Sequence, residues 1–159
     1  MTADCLGPVS LPDLQASGPR RWQIQQPLAG LHQAGPVQGE LSLRHLGDGV
    51  EVGARVHTEL ACTCDRCLRP FTTTLRAEAE ERLPFHPPAD GLAPLPEALE
   101  ERLDPSGSFD PEHWLFEQIS LRLPLVNRCG PDCPGPATWS SSPAAADPRW
   151  AALARLQGG

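Results

Sequence analysis

The chain has 159 residues with 40% hydrophobic and 5% aromatic residues, 19 prolines, 14 glycines and no tyrosine, which points to one modest core of Leu, Val and Ala interrupted by irregular stretches. All 13 basic residues are Arg, so Schiff-base lysines and a lysine-bearing phosphate loop are excluded. The formal net charge of -7 opposes long-range attraction to phosphate and favours a basic protein partner over free-standing nucleic-acid binding.

Residues 1–19 carry Pro8, Pro12 and Pro19, spaced too closely for a regular helix, and are expected to form a loose N-terminal arm or an edge strand. No basic residue precedes Arg20 and no long apolar run occurs. Neither a leader nor a membrane span is expected, and the location is expected to be cytoplasmic. Trp22, Ile24 and Gln26 alternate with Gln23 and Gln25 up to Pro27, the pattern of a short strand. Val37, Leu41 and Leu43 share a period-two face before the Gly47-Asp48-Gly49 turn signal, so a hairpin follows. Val50, Val52, Ala54, Val56, Thr58 and Leu60 then give the clearest half-buried strand. A second alternating run holds Phe71, Thr73, Leu75, Ala77 and Ala79; Ala and Glu also allow a helix over residues 75–83. Glu78, Glu80 and Glu81 are read together as a solvated face.

Residues 84–108, rich in proline and bearing Glu97, Glu100, Glu101 and Asp104, are expected to be an irregular loop with room for one helical turn. Asp110-Pro111 is a helix start, and Trp114, Leu115, Ile119 and Leu123 are expected to face the sheet from a helix ending before Pro124. After a linker-like stretch, Asp147-Pro148 repeats the start signal, and Trp150, Leu153 and Leu156 form a short apolar stripe. The expected fold class is α+β: a small, mainly antiparallel β-sheet or partial barrel, one principal helix and a short C-terminal helix. The arm would occupy 1–19, a single domain 20–135, and the linker with its short helix 136–159.

Cys64 and Cys67 are separated by two residues, and Cys129 and Cys133 by three. Two such pairs supply four tetrahedral ligands, and a site with no open position holds a structural metal, for which thiolates favour zinc. Reduced thiols without metal remain an alternative. So does a redox pair Cys64–Cys67 with Arg66 lowering a thiol pKa, although strands flank the pair where an oxidoreductase would place a helix. Cys5, Cys62, His57 and His113 are read as bystanders. Arg66, Arg69, Arg76 and Arg128 are candidates for a partner-binding or RNA-binding patch. The chain shows no nucleophile elbow, zincin helix, phosphate loop or dinucleotide motif, so it is expected not to be an enzyme.

The run Cys64-Asp65-Arg66-Cys67-Leu68-Arg69-Pro70-Phe71 after an alternating strand resembles the hallmark of the bacterial YceD family. Phe109-Asp110, the stretch from Glu117 to Leu125, the segment Cys129-Gly130-Pro131-Asp132-Cys133-Pro134-Gly135 and the ending Asp147-Pro148-Arg149-Trp150 are similar to that family in order and spacing. Many relatives carry further cysteines beyond this point, where Pro136, Ala137, Thr138 and Trp139 stand here. The resemblance implies a non-enzymatic ribosome biogenesis factor that supports accumulation of 23S rRNA. Its partners would be the pre-ribosomal large subunit, a ribosomal protein or an rRNA-processing factor, with direct 23S contact as a weaker option. The alternatives are a zinc-stabilised protein–protein adaptor unrelated to ribosomes and a thiol redox protein using Cys64 and Cys67.

Overall fold

A computed structural model describes residues 6–86 and 102–136. In chain order the elements are β1 (Val9–Ser10), α1 (Leu11–Ser17), β2 (Arg20–Gln26), β3 (Val37–His45), β4 (Gly49–Thr63), β5 (Pro70–Pro84), β6 (Ser108–Phe109) and α2 (Pro111–Ser120). Strands β2-β3-β4-β5 form an antiparallel meander, and β1 pairs with β6 in a second, two-stranded antiparallel sheet. The architecture is therefore α+β; the four-stranded sheet is open, with no β2–β5 pairing to make a barrel.

Period-two alternation decides which face is buried, because successive strand side chains point to opposite sides. Trp22, Ile24, Val37, Leu41, Leu43, Val50, Val52, Ala54, Val56, Ala77 and Leu83 all lie on the core side. The helical alternative for residues 75–83 is not realised. Those residues pair with β4 in a ladder running from Gly49↔Pro84 to Thr63↔Pro70, and tertiary pairing overrides the modest helix preference of Ala and Glu. The same parity corrects the reading of the glutamates. Glu81 lies opposite Val52 on the inner face, where its Oε2 accepts from the indole Nε1 of buried Trp114 at 2.7 Å.

The N-terminal segment, expected to be a loose arm or an edge strand, carries the short strand β1 and also a helix. Its prolines bracket α1 instead of preventing it. Pro12 sits in the first turn, where a missing N–H costs nothing. Ser10 Oγ accepts from Asp13 N, and Gly18, at φ 85, ends the helix before Pro19. Leu6, Val9, Leu11 and Leu14 are all buried in the common core, so the segment packs as part of the fold.

At α2, Asp110 Oδ1 accepts from the N–H groups of Glu112 and His113 at 3.0 and 3.1 Å. Trp114, Leu115 and Ile119 are buried as the helical spacing predicts, whereas Leu123 is 39% exposed. The helix stops at Ser120 because Pro124 disfavours a helical residue before it. The chain instead tightens through Arg122 N to Ile119 O and Leu123 N to Ser120 O. Arg122 also donates to the carbonyls of Gln118 and Glu78, tying this exit to β5.

Of the expected irregular loop, residues 87–101 lie outside the described residues. The ends are held together, since Phe85 and Leu103 form a parallel bridge and Leu103 N donates to Pro84 O at 2.9 Å. Asp104 turns the chain back, and hydrogen bonds from the Ser106 side chain and backbone hold its carboxyl below the usual range. The short C-terminal helix expected within 136–159 also falls outside the described residues.

Candidate metal centre

The β4–β5 hairpin is longer than the sheet it belongs to. Pairing with β3 ends at His57, while β4 continues to Thr63, a further run of about 20 Å at ~3.3 Å per residue. The strip from His32 to Gly35 supports this overhang: Ala34 N donates to Glu59 O, Ala61 N to His32 O, and Thr58 Oγ1 to Gly35 O. Residues 64–69 make the turn at its tip. Cys64 N donates to Arg69 O, Leu68 N donates to Cys64 O, and Leu68 adopts the left-handed conformation at φ 59 that closes so tight a turn.

The segment leaving α2 runs against this tip. Asp65 N donates to Asn127 O at 2.9 Å, and Asp65 Oδ2 accepts from Asn127 N at 2.7 Å. This two-point clamp was not legible as a site feature, although an Asp inside the Cys-x-x-Cys turn and an Asn two residues before Cys129 were its available signal. The clamp delivers Cys129 and, through the Cys133 N to Gly130 O turn, Cys133.

The four sulfurs of Cys64, Cys67, Cys129 and Cys133 all lie within 4.8 Å of one another. Cys64 Sγ is 3.9 Å from Cys133 Sγ, and Cys67 Sγ is 3.6 Å from Cys129 Sγ. A tetrahedron with metal–sulfur bonds of ~2.3 Å has edges of about 3.8 Å, so these separations fit a shared ion; a disulfide would need ~2.05 Å. Cys64 is fully buried and the other three are half-buried. The donor set suits a soft or borderline divalent cation, and zinc before calcium or magnesium.

The electrostatics are divided between the two pairs. Hydrogen bonding from the Cys67 backbone, opposed by burial and assisted by the backbones of Arg66 and Cys129, lowers the Cys64 thiol to about 6. Burial, followed by contact with the Cys133, Cys67 and Cys64 sulfurs, raises Cys129 to about 12. One sulfur is thus prepared as a thiolate, while the crowd of neighbours resists further negative charge unless a cation joins them.

Cys62 pairs with Phe71 within the hairpin and is outside the four-sulfur group. Cys5 lies outside the described residues. His57 is exposed on β4 opposite Arg76, and His113 Nε2 faces Glu117 at 3.2 Å on α2. Arg66, Arg69 and Arg128 are exposed at the cysteine end, with no ion pair to another described residue. Arg76 stands six residues along β5 from the tip. The outer face of the sheet holds a polar depression of about 450 Å³ lined in part by Gly53, Glu51, Arg55 and Glu78, with Arg55 pairing with Glu78 at 2.7 Å.

These features define a small α+β protein in which four cysteines from a hairpin tip and a post-helical segment converge on one point. The chain belongs to the YceD family, described as large ribosomal RNA subunit accumulation protein YceD, whose pattern matches residues 52–157. Uncharacterized proteins of Mycobacterium bovis and of two strains of Mycobacterium tuberculosis are each 25% identical to it over 140 residues, covering 82% of this chain and 67% of the relative. No solved structure matches it significantly.

Proposed function

We propose that this chain is a non-catalytic factor of large-subunit ribosome assembly, needed for accumulation of 23S rRNA and acting in the cytoplasm. Zinc would be held structurally by Cys64, Cys67, Cys129 and Cys133. The family membership supports the ribosomal role. The observation that carries the site is the convergence of all four sulfurs within 4.8 Å. Bound zinc would fasten the hairpin tip to the exit of α2 and, with four protein ligands, would keep no position open for substrate. The close sulfur contacts run between the pairs, Cys64 to Cys133 and Cys67 to Cys129. That arrangement favours a shared ion over a redox couple made of Cys64 and Cys67.

The partner we favour is a protein of the assembling subunit. Four thiolates around a divalent ion carry a formal charge of about -2, which draws on the positive charge of Arg66, Arg69 and Arg128 and leaves little for phosphate. Direct contact with 23S rRNA through Arg66, Arg69, Arg76 and Arg128 is the second reading, favoured by the exposure of those four side chains. Salt-dependent binding to a 23S fragment that is lost in Arg66→Glu/Arg69→Glu would establish it.

The test of the main reading is the 23S to 16S rRNA ratio in cells lacking the gene, complemented with either the wild-type chain or Cys64→Ser/Cys67→Ser. A selective fall in 23S that only the wild type restores is expected. An unchanged ratio on deletion overturns the ribosomal role, and full rescue by the double variant overturns the need for the cysteine centre.

A further inference from the structure

The two close sulfur contacts of the cluster both join the hairpin tip to the segment after α2. Cys67 Sγ lies 3.6 Å from Cys129 Sγ, and Cys64 Sγ lies 3.9 Å from Cys133 Sγ. Each pair must approach by less than about 2 Å to reach the S–S bond length of ~2.05 Å. The backbones that carry them are already aligned, because Asp65 N donates to Asn127 O while Asp65 Oδ2 accepts from Asn127 N. Within each segment the turn is closed by its own hydrogen bonds, Cys64 N to Arg69 O and Leu68 N to Cys64 O in one and Cys133 N to Gly130 O in the other. The sulfurs therefore make their close contacts across the gap. Cys67, Cys129 and Cys133 are half-buried, which leaves them open to a solute as small as a peroxide.

We propose that the cluster is also a peroxide-responsive switch, in which Cys64 bonds to Cys133 and Cys67 to Cys129. In each half of the reaction one thiolate attacks the peroxide, the O–O bond breaks, and the sulfur becomes a sulfenic acid as hydroxide leaves. The facing thiolate then attacks that sulfur, the S–S bond forms and a second hydroxide leaves. Two peroxides thus oxidise four thiolates by four electrons, and every oxygen ends as water once protonated. Disulfide sulfurs are poor zinc ligands, so a bound ion is released. The inference rests on the zinc reading only for that ion; the pairing rests on the sulfur geometry. Separation in sequence favours the same pairing. The cross bridges span 69 and 62 residues, and closing a long loop restricts the unfolded chain more than closing a turn does. Bridges inside Cys64–Cys67 and Cys129–Cys133 would leave no covalent link between hairpin and post-helical segment. The cross bridges replace a fastening through an ion by a covalent one, and a dithiol reductant restores the first.

Disulfide mapping on the full-length wild-type chain tests it. The chain is purified under reducing, chelator-free conditions, its zinc content is measured, and it is then treated with hydrogen peroxide, quenched and alkylated. Cleavage after Arg66 and before Asp132 separates Cys64 from Cys67 and Cys129 from Cys133, so mass spectrometry distinguishes every pairing. Peptides linked through Cys64–Cys133 and Cys67–Cys129 should exceed all other linked forms by at least about tenfold, and dithiothreitol should abolish them. Zinc present at the start should appear in solution as the bridges form. Cys62→Ser, which removes the neighbouring thiol, should leave both bridges in place. Dominant bridges within the pairs, a bridge to Cys62, oxidation to sulfinic acid without any bridge, or zinc retained by the bridged chain would each overturn the proposal. A chain that holds no zinc before oxidation yet forms the two cross bridges upholds the pairing and refutes the zinc reading alone.

Discussion

At the residue scale, the centre depends on how the knuckle backbone treats one thiol. The N–H of Cys67 favours the thiolate of Cys64, placing its pKa near 6, while burial among sulfurs places Cys129 near 12. For Cys64 the folded value lies below the ordinary thiol value of 9.0. Its contribution to stability is therefore complete above the unfolded pKa and disappears as pH falls through about 6. Cys129 has the opposite sign: its folded form resists ionisation, so that contribution is present at neutral pH and lost as pH rises toward 12. Because Cys64 is already a thiolate at pH 7, zinc binding should release fewer than four protons. Calorimetry in buffers of different ionisation enthalpy measures this number, and a value of four would contradict the lowered thiol. Asp65→Ala removes the acceptor for Asn127 N while leaving all four proposed cysteine ligands in the sequence. It should cost about 1 kcal/mol by the usual worth of such a hydrogen bond and speed zinc loss to a chelator, whereas an unchanged off-rate would show that the clamp does not position Cys129.

At the scale of elements, two contacts hold the sheet and the main helix in register. Gly39 sits at φ 146, and a Cβ there would lie 2.1 Å from the Arg55 carbonyl oxygen on β4, a backbone atom that cannot move without breaking the β3–β4 ladder. Gly39→Ala should therefore destabilise the fold by at least about 2 kcal/mol, read as a lowered denaturation midpoint. The second contact is Glu81 with the Trp114 indole. Glu81→Ala leaves that buried donor without its partner and should cost roughly 1–3 kcal/mol. Glu80→Ala, one position away on the outer face, should be nearly neutral by comparison. Equal losses in the two variants would show that strand parity does not govern the role of these glutamates.

At the scale of the whole molecule, the cysteine centre and the hydrophobic core are separate sources of order. The core gathers α1, the sheet and α2 around buried leucines and valines, whereas the cysteines lie at the overhanging tip of β4–β5. With zinc held by the four cysteines as proposed, its removal by a chelator under reducing conditions should raise amide exchange at residues 62–70 and 126–134 while amides of β3 and the first half of β4 keep their protection. Global unfolding on removal would mean that the tip supports the core. In contrast, Leu115→Ala, at a fully buried position in the common core, should cost about 2–5 kcal/mol without altering the proposed zinc stoichiometry.

The sequence by itself determined the strands, because period-two alternation over residues 50–60 and 71–79 can bury only one face, and it determined the start of α2, because Asp110-Pro111 meets the needs of a helix N-terminus locally. It also marked four cysteines as one candidate set by spacing and family resemblance. Other features needed tertiary information. The spacing of the early prolines pointed to an arm or an edge strand and away from a helix, whereas the Ser10 cap and the burial of Leu11 and Leu14 produce a helix between Pro8 and Pro19. Glu81 differs from Glu80 only in the face that pairing with β4 assigns it. The juxtaposition of Cys64 with Cys133 spans a separation of 69 residues, which no local pattern encodes. It follows from the hairpin's length beyond β3, the early stop of α2 before Pro124, and the Asp65–Asn127 clamp that aligns the two segments.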